Sequence, residues 1–334
     1  MKRLGLLLGA FALLIGVPLA MAGDFHTGTT LVCADCHVMH YSQTHGYNED
    51  GTGIYAPLGA SGPYEALLRN DVNDLCLTCH NNTSFAPDVL GANSNSYVRE
   101  AGGLNRNGSA PYYHATGHTL DATDVAPGGT WSNTNGLSCT DCHHQHGAGG
   151  AYRNLRVKTG TAPSNSTVTY AIGTNDLTKD IFERATTPMT SHYAYNNVDW
   201  NEPDQTASKY AMFCKGCHTN FHGAKGGPEV GGDATGAEWL RHPNADANIG
   251  GLTGGHSSLT TFTSRTNRVH VMSPTGVWDP PPSGVTPSCM SCHKAHGNKH
   301  AFGLIFMKGT GTVSEEGDDG VAVKDLCKQC HIQG

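Results

Sequence analysis

A mostly irregular chain, with short α-helices and few short strands, is the fold class that three features of these 334 residues predict. Glycine takes 43 positions, hydrophobic residues are 37 % and charged residues only 15 %. Leucine and isoleucine are scattered, so long amphipathic helices are not written. All twelve cysteines fall in six copies of one motif, Cys-x-x-Cys-His, spread from one end to the other. A chain so poor in apolar periodicity needs something other than side chains as its core.

The six copies are Cys33-Cys36-His37, Cys76-Cys79-His80, Cys139-Cys142-His143, Cys214-Cys217-His218, Cys289-Cys292-His293 and Cys327-Cys330-His331. Each is a c-type haem attachment signature. Two thiols form thioethers to the porphyrin, and the adjacent histidine is the proximal ligand of the iron. Zinc ribbons and disulfide frameworks also use Cys-x-x-Cys, but neither requires a histidine after every copy. A thioredoxin-like redox motif occurs once per domain, not six times. Six covalently bound haem c groups follow. Six flat apolar bodies then form the core, one per roughly 52 residues, and the fold is that of a multihaem cytochrome c wrapped around a continuous haem stack. Without haem, little stable structure is expected.

Residues 1–22 read as a secretory signal peptide: Lys2 and Arg3, an apolar run from Leu4 to Leu19, then Ala20-Met21-Ala22 as a cleavage site. About 312 residues remain. No second run reaches spanning length, so no transmembrane segment is expected after cleavage. The product is secreted, extracellular or at the cell surface, by way of the periplasm. The formal charge of −7 becomes more negative with loss of Lys2 and Arg3, which argues against nucleic acid as a partner. The acidic run Ser314–Gly320 reads as a solvated loop rather than a calcium site.

Along residues 23–334 the chain reads as one domain of three di-haem repeats, approximately 23–105, 106–245 and 246–334. In each, a leading histidine precedes a Cys-x-x-Cys-His-x-x-His motif, and a plain motif follows. The leading histidines are His26, His118 and His270; the additional ones are His40, His146 and His296. Each motif is expected to open one or two helical turns. Ser166–Ile172 alternates β-branched residues as a short strand, and Asn175–Ala185 reads as a capped helix. Gly226–Gly236 and Gly250–Ser258 read as coil. Trp131, Trp200, Trp239 and Trp278 are expected over haem edges.

Six irons with bis-histidine ligation need six distal histidines. The repeat singles out His26, His40, His118, His146, His270 and His296, with His242 and His222 in reserve. A histidine three residues past the proximal one lies about a helical turn away. Its own porphyrin blocks it, so it must ligate a neighbouring haem, and this forces close haem spacing. His45, His114, His144, His192, His256 and His300 are read as ordinary hydrogen-bonded residues. His331 has only three residues after it, so its haem takes a ligand from far upstream or from another molecule.

Several stretches resemble a known family. Phe25-His26-Thr27-Gly28, Cys36-His37-Val38-Met39-His40, Gly117-His118 and Ala126-Pro127-Gly128-Gly129-Thr130 are among them. Further ones are Cys142-His143-His144-Gln145-His146-Gly147 with Tyr152-Arg153, and Cys217-His218-Thr219-Asn220-Phe221-His222 with Leu240-Arg241-His242-Pro243. Cys292-His293-Lys294-Ala295-His296 and Leu326-Cys327-Lys328-Gln329-Cys330-His331 complete the set. In order and extent they are similar to the OmcS-type outer-surface hexahaem cytochromes, which polymerise into extracellular nanowires. The resemblance implies a stack of alternating parallel and T-shaped haem pairs. It implies bis-histidine irons throughout. It also implies that His40 ligates a haem of the adjacent protomer, the fifth, held by Cys289, Cys292 and His293. The chain is shorter than the best-known member, chiefly between the fifth and sixth motifs.

The expected function is long-range extracellular electron transfer by the protomer of a polymeric filament. Its partners are copies of itself, redox partner cytochromes and an extracellular acceptor such as a metal oxide. A monomeric electron shuttle of the periplasm or cell surface is the alternative. A multihaem reductase needs an iron with an open position; no motif departs from Cys-x-x-Cys-His, so enzymatic activity is not expected.

Overall fold

The computed structural model describes residues 26, 31–38, 58–83, 86, 88–90, 101–106, 117–147, 154–162, 168, 199–203, 209–221, 230–232, 238–239, 247–251, 255–265, 268–269, 271–273, 283–298, 300–305, 308–309 and 322–332. The chain is mostly irregular, with short helices and strands. The helices are α1 (Cys33–Cys36), α2 (Val72–His80), α3 (Cys139–Cys142), α4 (Lys209–Lys215), α5 (Leu259–Thr263), α6 (Cys289–Cys292) and α7 (Val323–Cys327). The strands are β1 (Asn105–Arg106), β2 (Thr119–Leu120), β3 (Asp199–Pro203), β4 (Val230–Gly232), β5 (Glu238–Trp239), β6 (Val271–Ser273) and β7 (Thr286–Pro287). β1 pairs β2 in parallel, β6 lies between β3 and β7, and β4 pairs β5 antiparallel. Among the described residues, no helix is long and apolar enough to cross a membrane.

The expectation that each motif opens a helix holds for half of them. The first, third and fifth motifs are each a single helical turn, α1, α3 and α6. Their third residues explain the start. Asp35 and Asp141 carboxylates and the Ser291 hydroxyl accept the backbone N–H of Val32, Ser138 and Ser288, at 2.8, 2.8 and 2.9 Å. The second motif instead forms the C-terminal half of α2, and the fourth and sixth begin at the ends of α4 and α7. The coil expected over Gly226–Gly236 is corrected by β4, in which Val230 aligns with Trp239. That ladder needs only backbone groups, which glycine supplies as well as any residue. The leader, the helix expected at Asn175–Ala185, the acidic run 314–320, Trp278 and, apart from Val168, the strand expected at Ser166–Ile172 lie outside the described residues.

After each single-turn motif the histidine is extended, with φ from −117 to −111°. It bridges a returning segment: His37 to Leu68, His143 to Leu155 and His293 to Leu304. The same hydrogen bond closes all three returns. The carbonyls of Cys36, Cys142 and Cys292 accept from the N–H of Arg69, Arg156 and Ile305 at 2.9, 2.8 and 2.8 Å. Among the described residues, buried hydrophobic side chains form three small clusters. Leu77, Leu90, Leu104 and Leu120 pack against Cys139. Val168, Tyr210, Met272 and Met290 form a second. Phe262, Val271, Ile305 and their neighbours pack against Cys292 and Cys330.

All three repeats meet along a backbone junction at Gly297, which bridges both Gly102 of the first repeat and Gly117 of the second. His296 N–H donates to the Ala101 carbonyl at 2.7 Å, and His118 N–H donates to the His296 carbonyl at 2.9 Å. Gly102 has φ +86°, and a β-carbon there would strike the Gly297 carbonyl. Gly102→Ala should therefore lower the stability of the haem-loaded protein by at least about 1–3 kcal/mol. An unchanged denaturant midpoint would mean that this junction does not form.

Candidate haem-binding sites

An imidazole nitrogen binds such metals at about 2 Å and lies about 1 Å from its ring centre, so two rings across one iron have centres about 6 Å apart. Four motif histidines face another histidine at that spacing. His37 faces His146 at 6.1 Å, His80 faces His26 at 6.1 Å, His143 faces His296 at 6.2 Å and His218 faces His118 at 5.9 Å. A fifth, His331, faces His256 at 4.8 Å. Each of these five pairs joins a motif histidine to one outside the motifs, while His144 and His146 also stand at 6.1 Å without a motif histidine. The donor set and spacing fit haem iron.

The rings are aimed by backbone carbonyls. A carbonyl can only accept, so each such bond places the proton on Nδ1 and leaves Nε2 to a metal. His37 donates to Ala66 at 2.9 Å, His218 to Pro127 at 2.8 Å and His293 to Phe302 at 2.7 Å. Ala66 and Phe302 sit at φ +54° and +59°, a left-handed conformation costing about 1–3 kcal/mol that aims the carbonyl. The facing rings are held likewise: His118 donates to Ala295 at 2.8 Å and His26 to Gln145 at 3.4 Å. Each acceptor immediately precedes the additional histidine of the next repeat.

Three of the facing imidazoles are shifted toward the neutral form, the one that binds metal, with burial the largest cause. His296 is pushed down to about 3, first by burial and then by His143 and His118. His118 is lowered by burial and then by His218. His146 is lowered by desolvation and then by His37.

The thiols line up in sequence order. Burial pushes the Cys36 thiol up to about 11, with Cys76 adding to the rise. Cys76 is raised by its hydrogen bond to Cys139, then by burial. Burial raises Cys142 to about 12, with Cys217 next. Cys214 is raised by its hydrogen bond to Cys289. Burial raises Cys292 to about 12, followed by Cys330 and Cys327. These shifts vanish once the sulfurs are thioethers, but the neighbours they reveal are always the next motif along the chain. Asn73 of α2 fixes one such step. Its side-chain carbonyl accepts Cys139 N–H at 3.0 Å, and its amide donates to Asp121 at 2.7 Å and to the Leu137 carbonyl at 3.0 Å. Arg106 ties Asp121 to Asp74.

Of the distal histidines expected from sequence, His26, His118, His146 and His296 each face a motif histidine. His40, His270, His242 and His222 lie outside the described residues. His256, read from sequence as an ordinary residue, takes a position opposite His331 through a β-bridge. Ser257 N–H donates to the Cys330 carbonyl and Ile332 N–H to the Gly255 carbonyl, both at 2.8 Å. One signal was present: Gly255-His256 repeats the dipeptide Gly117-His118. Trp131 lines a cavity of about 280 Å³ with Asp141, Arg156 and Lys158.

No protein-family model matches the chain, and no curated protein matches it. Among solved structures it is similar to the cryo-EM structure of the OmcS nanowires from Geobacter sulfurreducens. The identity is 17 %, covering 92 % of this chain and 95 % of that one, with a TM-score of 0.44.

Proposed function

We propose that the chain is a hexahaem c-type cytochrome, not an enzyme, that carries electrons along a continuous row of bis-histidine haems. We infer that it acts as the protomer of an extracellular filament delivering respiratory electrons to an acceptor such as a metal oxide. The observation that carries the reading is that five motif histidines each face a second histidine, four of them at the spacing of a shared iron. His146 serves the first haem, His26 the second, His296 the third, His118 the fourth and His256 the sixth. The fifth, on His293, takes His40 of an adjacent copy. When bound, each haem supplies a one-electron centre; the chain spaces the haems and leaves no iron open to a substrate.

Low-spin EPR signals from six irons, with no high-spin component, are expected of the loaded protein; a high-spin iron would favour a reductase. The sixth site gives a sharper test. His256→Ala should turn one haem high-spin, whereas His270→Ala should leave all six low-spin. The reverse outcome would restore His270 as the distal ligand. At 4.8 Å the His256 and His331 rings stand about 1 Å too close for an iron between them, so loading the sixth haem must part them.

A further inference from the structure

The first, third and fifth motifs share one attachment frame, and the last of them fills it with different chemistry. In all three the residue before the second cysteine caps the turn, and the carbonyl of that cysteine accepts the N–H of the returning segment. In the first and third motifs the cap is a carboxylate, Asp35 and Asp141, and the returning residue is an arginine, Arg69 and Arg156. Both arginines reach back to the same place. Arg69 Nη1 donates to the Ala34 carbonyl at 3.4 Å and Arg156 Nη1 to the Thr140 carbonyl at 2.7 Å. In the fifth motif acid and base are replaced together, by Ser291 and Ile305. These two are 0 % and 2 % exposed, and Met290 beside them 8 %. Ile305 belongs to the apolar cluster, with Phe262, Val271 and Val285, that packs against Cys292.

Where acid and base occur, the acid lies closer to the attachment point. The carboxylate sits inside the motif, whereas the guanidinium bonds to the carbonyl of the residue before it. Asp35 is buried, and its second oxygen has no hydrogen-bond partner among the described residues. The thiols register the same order. After burial and the facing Cys76, Asp35 raises Cys36; after burial and Cys217, Asp141 raises Cys142, with Arg156 the weakest influence and opposed. Cys292 has no carboxylate among the groups that shift it. A haem iron carries one more positive charge oxidised than reduced. A carboxylate beside it favours the oxidised state, and dry apolar surroundings favour the reduced one. Lys294, directly after His293, is buried, and a cation beside the motif pushes the same way as the loss of a carboxylate.

We propose that the capping residue and the returning residue of these motifs are a redox-tuning pair, and that Ser291 and Ile305 hold the fifth haem at a higher reduction potential than the first and third. The proposal rests on the haem reading above and is independent of the filament. The three sites keep one backbone frame, so the difference is carried by two side chains. Identical copies in a row cannot slope downhill from one to the next. The pair instead fixes where an electron rests longest within each copy, and among these three haems that place is the fifth.

The test is a potentiometric titration of haem-loaded protein, with six haems confirmed by mass and the spin state followed by EPR. Ser291→Asp/Ile305→Arg moves the charged pair into the fifth motif. It should lower one of the six one-electron steps by roughly tenfold in its equilibrium constant, which is 59 mV. Asp141→Ser/Arg156→Ile moves the apolar pair into the third motif and should raise one other step by a similar factor. Asp141→Asn keeps an amide oxygen to accept the Ser138 N–H and should raise that same step, which covers a double variant that fails to load. All irons should stay low-spin, which separates tuning from a lost ligand. In the parent, the step lowered by the first variant should lie above the step raised by the second. The proposal is overturned if no step moves, if either moves the other way, or if the two lie in the reverse order. Fewer than six haems by mass in the parent would overturn the haem reading itself.

Discussion

Chain made without haem attachment should show no cooperative unfolding transition, little fixed tertiary signal and rapid proteolysis throughout, whereas the six-haem protein should unfold in a defined transition. The reasoning is arithmetic of burial. Among the described residues, the largest cluster of buried hydrophobic side chains holds seven and the other two hold four each. A single-domain chain of this length would ordinarily bury about three quarters of its unfolded surface around larger cores. The clusters instead abut the sulfurs: Cys139 in one, Cys292 and Cys330 in another. On the proposed reading each porphyrin completes a cluster that is insufficient alone, and its bonds would link segments up to 153 residues apart, as His143 and His296 are. Folding free energy becomes binding free energy, as in small metal-organised domains. Circular dichroism and limited proteolysis of the Cys→Ser chain against the loaded one would decide it. A cooperative transition in the haem-free chain would show that the side chains suffice.

The Cys-x-x-Cys-His motifs and the irregular fold were legible from sequence because covalent attachment is a local code: two thiols and a histidine at fixed spacing. Four of the six repeat-placed histidines stand opposite a motif histidine, and their places in the sequence are regular. His146 and His296 sit at a fixed offset from a motif, and His26 and His118 lead one. His256 was read as ordinary because the Gly255-His256 dipeptide was its one local signal. Its position comes from hydrogen bonds to Cys330 and Ile332, more than seventy residues away, and long-range pairing of this kind leaves no periodic trace. The two β4–β5 strands escaped for the converse reason. Val230–Gly232 is built from backbone groups in a glycine-rich stretch, where side-chain patterning is silent. The different roles of odd and even motifs were half visible. Asp35, Asp141 and Ser291 mark helix starts, but that the even motifs close helices depends on the residues before them, such as Asp71, whose carboxylate accepts Asn73 N–H at 3.0 Å to cap α2.

His40→Ala should leave six haems attached and yet reduce filaments to single particles, with one iron per protomer losing its low-spin signal. The argument comes from the order of the repeats. His296, in the third repeat, faces His143, the first motif histidine of the second repeat. His146, in the second repeat, faces His37, the first motif histidine of the first. On the proposed reading each additional histidine serves the haem one repeat back. His40 holds the same place in the first repeat, and no repeat precedes it in the chain. Continuing the pattern, the haem it serves is that of the third repeat, on His293, in another copy. The leading histidines follow the same rule one bond further out: His26 and His118 donate to the residues before His146 and His296. A protomer boundary then reproduces a repeat boundary, with an iron–nitrogen bond in place of the chain connection. Loss of that bond removes the strongest tie between copies, so weak association at high concentration is compatible with the variant but long filaments are not. Added imidazole offers a check from the other side: it should restore the low-spin signal of the orphaned iron without restoring filaments. Filaments that persist in His40→Ala, or a low-spin spectrum that never changes, would place the ligand of the fifth haem within its own chain.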